Sequence, residues 1–384
     1  MKVFLIAGEP SGDRLGAALM AGLKTLSPEV SFSGVGGVAM QGEGMVSQFE
    51  MSELSVMGIS EVLPKYFHLK RRIREVAAEV LRLRPDVLIT IDSPDFCLRV
   101  AKIVKSEGGA EIPIVHYVAP SVWAWRPKRA VKMARHVDHV LALLPFEPKY
   151  MHEAGMGCDF VGHPVVAEPQ ATAHQAQAFR DIHDVGDGPL LLALPGSRKG
   201  EIARGAERFG QVFGELVKSH PGLKVVLPMA QGVVDLVRAE TAKWPVQPIL
   251  IAPEDQDAKR AAFRAADLAL ATSGTVSLEL AAAGTPMVIA YEMSWLSRLV
   301  IGNLLLIDTV TLVNLVSETR AVPEFLAEHC QVENIIPALE EVLTHRQSQD
   351  YAMDLTMERL GKGGEAPGLR AARAVLGVVE QGRG

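Results

Sequence analysis

Short apolar runs of strand length alternate with longer amphipathic segments along almost the whole chain, and this alternation limits the fold more than any other feature. Lys2–Ala7 is such a run, and Leu15, Leu19, Leu23 and Leu26 then recur at roughly helical spacing, which predicts a helix. Val87–Ile91 and residues 114–118 and 140–144 are further runs, with helical character between them, as in 126–137. Continuous apolar strands separated by helices imply parallel sheets covered on both faces.

The pattern restarts at Leu190. Strands are expected at Leu190–Leu194, 224–227, Ile249–Ile251, Leu268–Ala271 and Met287–Tyr291, with helices at 202–217 and Val276–Ala283. Between the halves, residues 162–189 hold six turn-forming Gly and Pro residues around a polar, Ala- and Gln-rich stretch, and the linker and domain boundary are placed there. Residues 335–378 read as helical with a break at 361–368. The fold class is therefore α/β: two successive Rossmann-like, doubly wound domains facing a cleft. The first spans 1–165, joined by the C-terminal helices of 350–384, and the second spans 166–349.

Composition narrows the function. Apolar residues make up 48% and charged residues 22% of the chain, the balance of a soluble globular protein. A net charge of −6 argues against general nucleic-acid binding, which wants a basic face. The three cysteines are far apart with no CxxC, so a disulfide framework or zinc site is not expected and a reducing cytoplasm is. The first apolar run ends at Gly8-Glu9, too short for a secretory signal. No uncharged run approaches the ~18 residues of a membrane span, so any membrane contact is expected at the surface only.

Ligands of open parallel sheets bind beyond the carboxyl ends of the strands, and four polar loops stand at such ends. The first, Gly8-Glu9-Pro10-Ser11-Gly12-Asp13, could offer helix-start amides to an anion, or could be a strand-to-helix turn capped by Ser11 or Asp13. The second is Asp92-Ser93-Pro94-Asp95, directly after Ile91. A general base belongs on such a rigid strand end. Asp95 suits the role of cap for a helix at 96–104, which leaves Asp92 as the candidate base.

The third loop, Gly196-Ser197-Arg198, suits a diphosphate bound by backbone donors and a guanidinium, or could be a plain strand-to-helix turn with a solvated Arg198-Lys199 pair. The fourth, Ser273-Gly274-Thr275, could cradle a phosphate, with Glu279 placed to accept ribose hydroxyls; a buried helix with one polar face is the alternative. Trp123 and Trp125 lie in a loop followed by Arg126, Lys128 and Arg129. They could pack in the core or line a site for a sugar or acyl chain.

Together these stretches resemble the lipid-A-disaccharide synthase family, inverting glycosyltransferases of GT-B fold. The likeness runs through GEPSGD (8–13), ELSVMGISEVL (53–63), IDSPDF (91–96), HYVAPSVWAWRPKR (116–129), FVGHP (160–164), LPGSRKGE (194–201), TSGTVSLE (272–279), VNL (313–315) and Cys330. Pro10 and Ser93 stand where family members often have Ala. The resemblance implies transfer from UDP-2,3-diacylglucosamine to 2,3-diacylglucosamine 1-phosphate (lipid X), giving a β-1′,6-linked disaccharide and UDP in lipid A biosynthesis, and so in Gram-negative outer-membrane biogenesis. Asp92 would remove the acceptor 6-hydroxyl proton. Gly196, Ser197, Arg198 and Ser273–Thr275 would hold the diphosphate, with Glu279 and Asn314 on the ribose or uracil. Ser11, Gly12, Asp13, Trp123 and Trp125 would face the acceptor. No cofactor and no metal are expected, because no DxD-like acidic pair suggests a bound metal and GT-B enzymes generally do without one.

Acyl chains demand an apolar surface. Val56, Met57, Ile59, Val62, Leu63, Tyr66 and Phe67 supply one, and Lys70, Arg71, Arg72 and Arg74 follow. A basic, apolar patch can sit on anionic lipid, so a cytoplasmic protein peripheral on the inner membrane is expected. Leu69, Ile73, Val76 and Val80 share a helical face, and 73–80 is expected to pack inward. A homo-oligomer is compatible with this reading.

Overall fold

A computed structural model describes residues 1–54, 59–292 and 306–382, with side chains from 59 to 66 excepted. β1 (Lys2–Ala7), β2 (Ser31–Val35), β3 (Val87–Ile91), β4 (Ile114–Tyr117), β5 (His139–Ala142) and β6 (Gly157–Phe160) form one sheet in the order β2-β1-β3-β4-β5-β6. β7 (Leu190–Leu194), β8 (Lys224–Pro228), β9 (Ile249–Ile251), β10 (Leu268–Ala271), β11 (Met287–Tyr291) and β12 (Glu324–Leu326) form a second, in the order β12-β11-β10-β7-β8-β9. The strand pairs are parallel throughout, which bears out the expected α/β class.

Alternation along each central strand explains the two covered faces of the first sheet. Phe4 and Ile6 join Leu88, Ile114 and Val140 under the helices Ile59–Leu83 and Pro94–Ser106. Val3, Leu5 and Ala7 point the other way, with Val87, Ile89 and Val115, under the first helix and the last. Ile73, Val76 and Val80 are buried in the former cluster, as the helical stripe predicts.

The chain divides into residues 1–167 with 363–384, and residues 168–362. The final helix, Pro367–Gln381, returns to the first unit and packs on Pro10–Leu26 at van der Waals limit. A Cβ on Gly22 would stand 2.6 Å from the Gly368 carbonyl oxygen, and one on Gly368 would stand 2.5 Å from that of Ala18. The preceding helix, Gln347–Arg359, was expected with the first unit from residue 350 onward but packs in the second. The Gln349 side chain bonds both the N–H (2.8 Å) and the carbonyl (2.9 Å) of Met287, and Arg359 reaches the Val316 carbonyl at 2.7 Å.

Strands β2, β6 and β12 lack apolar runs and were not expected. They lie at sheet edges, where half-exposed positions carry polar residues. The stretch 162–189 is not all linker either: it contains the helix Ala173–Ile182, closed by a reciprocal Thr172–Gln175 capping box. Arg180 fastens that helix to the Ala265 carbonyl (2.9 Å) and to Asp267 (3.1 Å).

Candidate active site

β3 delivers Asp92 through a strained turn. Asp92 and Ser93 both have positive φ, 50° and 42°, a conformation that costs an L-residue about 1–2 kcal/mol. The turn is held because the Asp92 N–H donates to the Tyr117 carbonyl at 2.9 Å and the Ser93 carbonyl accepts from Phe96 and Cys97, each at 3.0 Å. Gly8 leaves it room, since a Cβ there would lie 2.6 Å from Ser93 Oγ. Strain kept at a strand end is characteristic of functional positions. Asp95 does not cap: the helix begins at Pro94, so Ser93 takes the cap position, without a side-chain bond. Proline favours the first helical position, and Asp95 is left exposed in the first turn.

The other residues expected to face the acceptor divide. Ser11 is exposed and Gly12 buried. Asp13 turns inward and accepts the N–H groups of Gly37 (2.8 Å), Ala39 (2.9 Å) and Met40 (3.1 Å). Its carboxylate therefore serves the start of the short helix Val38–Gly42 rather than its own helix. Trp123 is buried, edge-on to Phe146 at 5.2 Å between centroids, and its Nε1 donates to Glu147 at 3.3 Å. Glu147 also accepts from Leu143 (3.0 Å) and Leu144 (2.9 Å), and burial pushes its carboxyl up to about 7. Trp123 thus packs in the core. Trp125 is half-buried, with the Arg126 guanidinium 4.2 Å above its ring.

In the surface patch, Val56 and Met57 lie outside the described residues, as do the side chains of Ile59, Val62 and Leu63. Phe67 is 80% exposed. Arg71 is exposed beside Glu75 at 3.3 Å. Arg72 is drawn into the fold: it makes two 2.9 Å bonds to Glu53 and stacks 4.3 Å from the centre of the Phe49 ring. Burial raises the Glu53 pKa, but bonds and charge from Arg72 and His68 more than offset it and hold the group below the usual range.

In the second unit, one pocket of about 560 Å³ gathers Gly196, Ser197, Arg198, Ser273, Gly274, Thr275 and Glu279. The loops meet because β7 and β10 are adjacent and in register, Ala271 opposite Leu194. Gly196 (φ 122°) admits the Glu201 side chain, which a Cβ would strike at 2.5 Å. Glu201 accepts from the N–H groups of Ser197 (3.0 Å) and Arg198 (3.2 Å) and pairs with the Arg198 guanidinium at 2.9 Å. At Gly274 no atom lies within 4 Å of where a side chain would start, so its backbone is open to a ligand. Ser273 Oγ donates to the Val310 carbonyl at 3.2 Å.

Sequence reasoning missed several lining residues, among them Gln231, Gln256 and Lys259. Lys259 holds one Glu279 oxygen at 2.6 Å, leaving the other for a ligand. Gln231 follows β8, so the strand-end rule applied to that strand would have found it. Asn314 is not among the lining residues. It is buried, donating to Val322 O (2.9 Å) and Thr309 Oγ1 (3.3 Å) and accepting from Val322 N–H (3.0 Å).

Two parallel sheets with strand-end loops of this kind define a class of protein, the two-domain GT-B fold. A UDP-GlcNAc 2-epimerase from Neisseria meningitidis solved with UDP-GlcNAc superposes with a TM-score of 0.64 at 12% identity, covering 99% of this chain and 100% of that one. A putative UDP-N-acetylglucosamine 2-epimerase from Listeria monocytogenes gives 0.63 at 14% identity, over 99% and 96%. At such identity the likeness is one of fold.

Sequence relatives are far nearer. The family model described as lipid-A-disaccharide synthetase matches residues 3–375. The lipid-A-disaccharide synthase of Ruegeria pomeroyi is 62% identical over 98% of this chain and 95% of its own length, and that of Rhodospirillum centenum 42% over 98% and 94%. The chain belongs to the lipid-A-disaccharide synthase family, the glycosyltransferases of lipid A biosynthesis.

Proposed function

We propose that the protein joins UDP-2,3-diacylglucosamine to 2,3-diacylglucosamine 1-phosphate with inversion at the donor anomeric carbon. The observation that carries this reading is the second unit's pocket, where two glycine loops, a guanidinium and a carboxylate converge. These are the parts a nucleoside diphosphate needs. The backbone left open at Gly274 and the Arg198 guanidinium, which gives only one of its nitrogens to Glu201, meet the diphosphate as charge develops on it, and the free oxygen of Glu279 accepts a ribose hydroxyl.

Asp92, on the first unit, takes the proton of the acceptor 6-hydroxyl as that oxygen bonds to the anomeric carbon. The bond to the β-phosphate breaks, and UDP leaves with its electron pair. One base suffices, because the leaving group needs charge stabilisation rather than protonation. The surface bearing Phe67 and Arg71 would meet the inner-membrane face from the cytoplasm. Among the described residues no helix is long and apolar enough to cross a membrane.

Incubation with both substrates should yield the disaccharide and UDP in equal amounts. Epimerised UDP-sugar without disaccharide would replace this reading with an epimerase. Asp92→Asn should lower kcat by about 10²–10⁴, the usual worth of a general base, while leaving UDP affinity unchanged. Full turnover in that variant would remove Asp92 from the chemistry.

A further inference from the structure

Asp13 and Trp123 are committed to the fold, which leaves acceptor recognition to other groups of the first unit. A pocket of about 430 Å³ opens beside the Asp92-Ser93 turn, with Ser93 in its wall. Its apolar part is Leu54, Leu69, Ile73 and Phe96. Its charged part is Lys70 and Arg99, with the carboxylates Glu9 and Asp95. Among the described residues the exposed side chains of Lys70, Arg99 and Asp95 make no ion pair and no hydrogen bond. Arg99 follows Asp95 by four residues on the helix Pro94–Ser106, a spacing at which opposite charges normally pair, yet they stand apart.

Two cations and two carboxylates leave no net field for a bare anion. The combination fits a molecule that is anionic, hydroxylated and apolar in different parts. We propose that this pocket binds the acceptor, an acylated sugar phosphate. Lys70 and Arg99 hold the phosphate, Asp95 accepts a sugar hydroxyl, and the apolar wall receives the start of an acyl chain. The assignment rests on the glycosyl-transfer reading, since the acceptor is that reaction's second substrate.

The test is direct binding of a short-chain 2,3-diacylglucosamine 1-phosphate by calorimetry, without UDP-sugar, beside the same compound lacking the phosphate. Lys70→Gln and Arg99→Gln should each weaken the phosphorylated ligand about tenfold, the scale of one charge-assisted hydrogen bond at a partly wet site, and leave the dephosphorylated ligand unchanged. Arg99→Lys should recover part of the loss. Equal affinity in wild type and variants, or equal losses for both ligands, overturns the assignment. So does loss of binding to phosphatidylglycerol vesicles with acceptor affinity intact, which would make these cations lipid contacts. A wild-type protein that binds the acceptor through Lys70 and Arg99 yet forms no disaccharide would remove the transfer reading and keep the pocket. Disaccharide formation with unaffected variants would do the reverse.

Discussion

The carboxylate of Asp13 accepts the backbone N–H of Gly37 at 2.8 Å across 24 residues of chain, and the N–H groups of Ala39 and Met40 share it. Asp13→Ala would leave these donors unmet. It should lower stability by about 3 kcal/mol, the upper part of the range for unsatisfied buried donors. Ser11→Ala, at an exposed position two residues away, should change stability by less than about 0.5 kcal/mol. Denaturant unfolding of both variants checks the contrast, and equal midpoints would deny Asp13 its structural role.

Arg198 and Asn314 should separate in the same manner. Arg198 has a side chain 75% exposed, so Arg198→Ala should leave the melting temperature near wild type and weaken UDP about tenfold, as loss of a charge-assisted bond does. Asn314→Ala should instead destabilise by about 2 kcal/mol, because buried donors and an acceptor lose their partner. Unchanged UDP affinity in Arg198→Ala, measured by calorimetry, would remove the guanidinium from the diphosphate.

Adjacent arginines have unlike surroundings, Arg71 exposed and Arg72 bonded to Glu53. Arg71→Glu should reduce sedimentation with anionic vesicles and leave the fold intact, at about 1 kcal/mol of surface attraction per cation. Arg72→Glu should lower the melting temperature, since it sets a third carboxylate beside Glu53 and Glu75. Vesicle binding unaltered in Arg71→Glu would count against the membrane-facing surface.

Stability should depend on pH with two opposing signs in the first unit. Burial lowers the His116 pKa to about 4, where its Nδ1 lies 2.8 Å from Thr90 Oγ1. Its contribution is complete above the unfolded value near 6.5 and is lost as pH falls towards 4, amounting to roughly 3 kcal/mol at one pKa unit per 1.36 kcal/mol. His163, also lowered to about 4 by burial, acts in the same direction. Glu147, raised to about 7, acts oppositely: its contribution is complete below the unfolded value near 4.5 and is lost as pH rises towards 7. A Glu147→Gln background should therefore show a steeper loss of stability between pH 6.5 and 4.5 than wild type, and adding His116→Asn should flatten it. Parallel profiles would refute the opposition.

Much of the site was legible because the strand-end rule needs only local patterns. Val87–Ile91 and Leu190–Leu194 announce where chains of this class present ligands, and Asp92 and Gly196–Arg198 follow them directly. Glu201 was not singled out, because its occupation of the loop amides is seen only in the structure. What the local pattern could not separate was a polar residue facing a ligand from one facing the fold. Asp13, Trp123 and Asn314 stand in polar loops or at strand and helix ends like their neighbours, yet each is consumed by partners 24, 24 and 8 residues away.

The sequence by itself determined the two successive parallel sheets, the helices over them and the strand ends that carry Asp92 and Arg198. Apolar periodicity is a property of neighbouring residues and survives without knowledge of what packs against it. Only the tertiary structure decided which polar side chains are free, which edge strands complete the sheets, and that the helix before the last stays with the second unit while the last joins the first. Those outcomes depend on hydrogen bonds and close approaches between distant segments, such as Gln349 with Met287 and Gly22 with Gly368, and no local pattern encodes them.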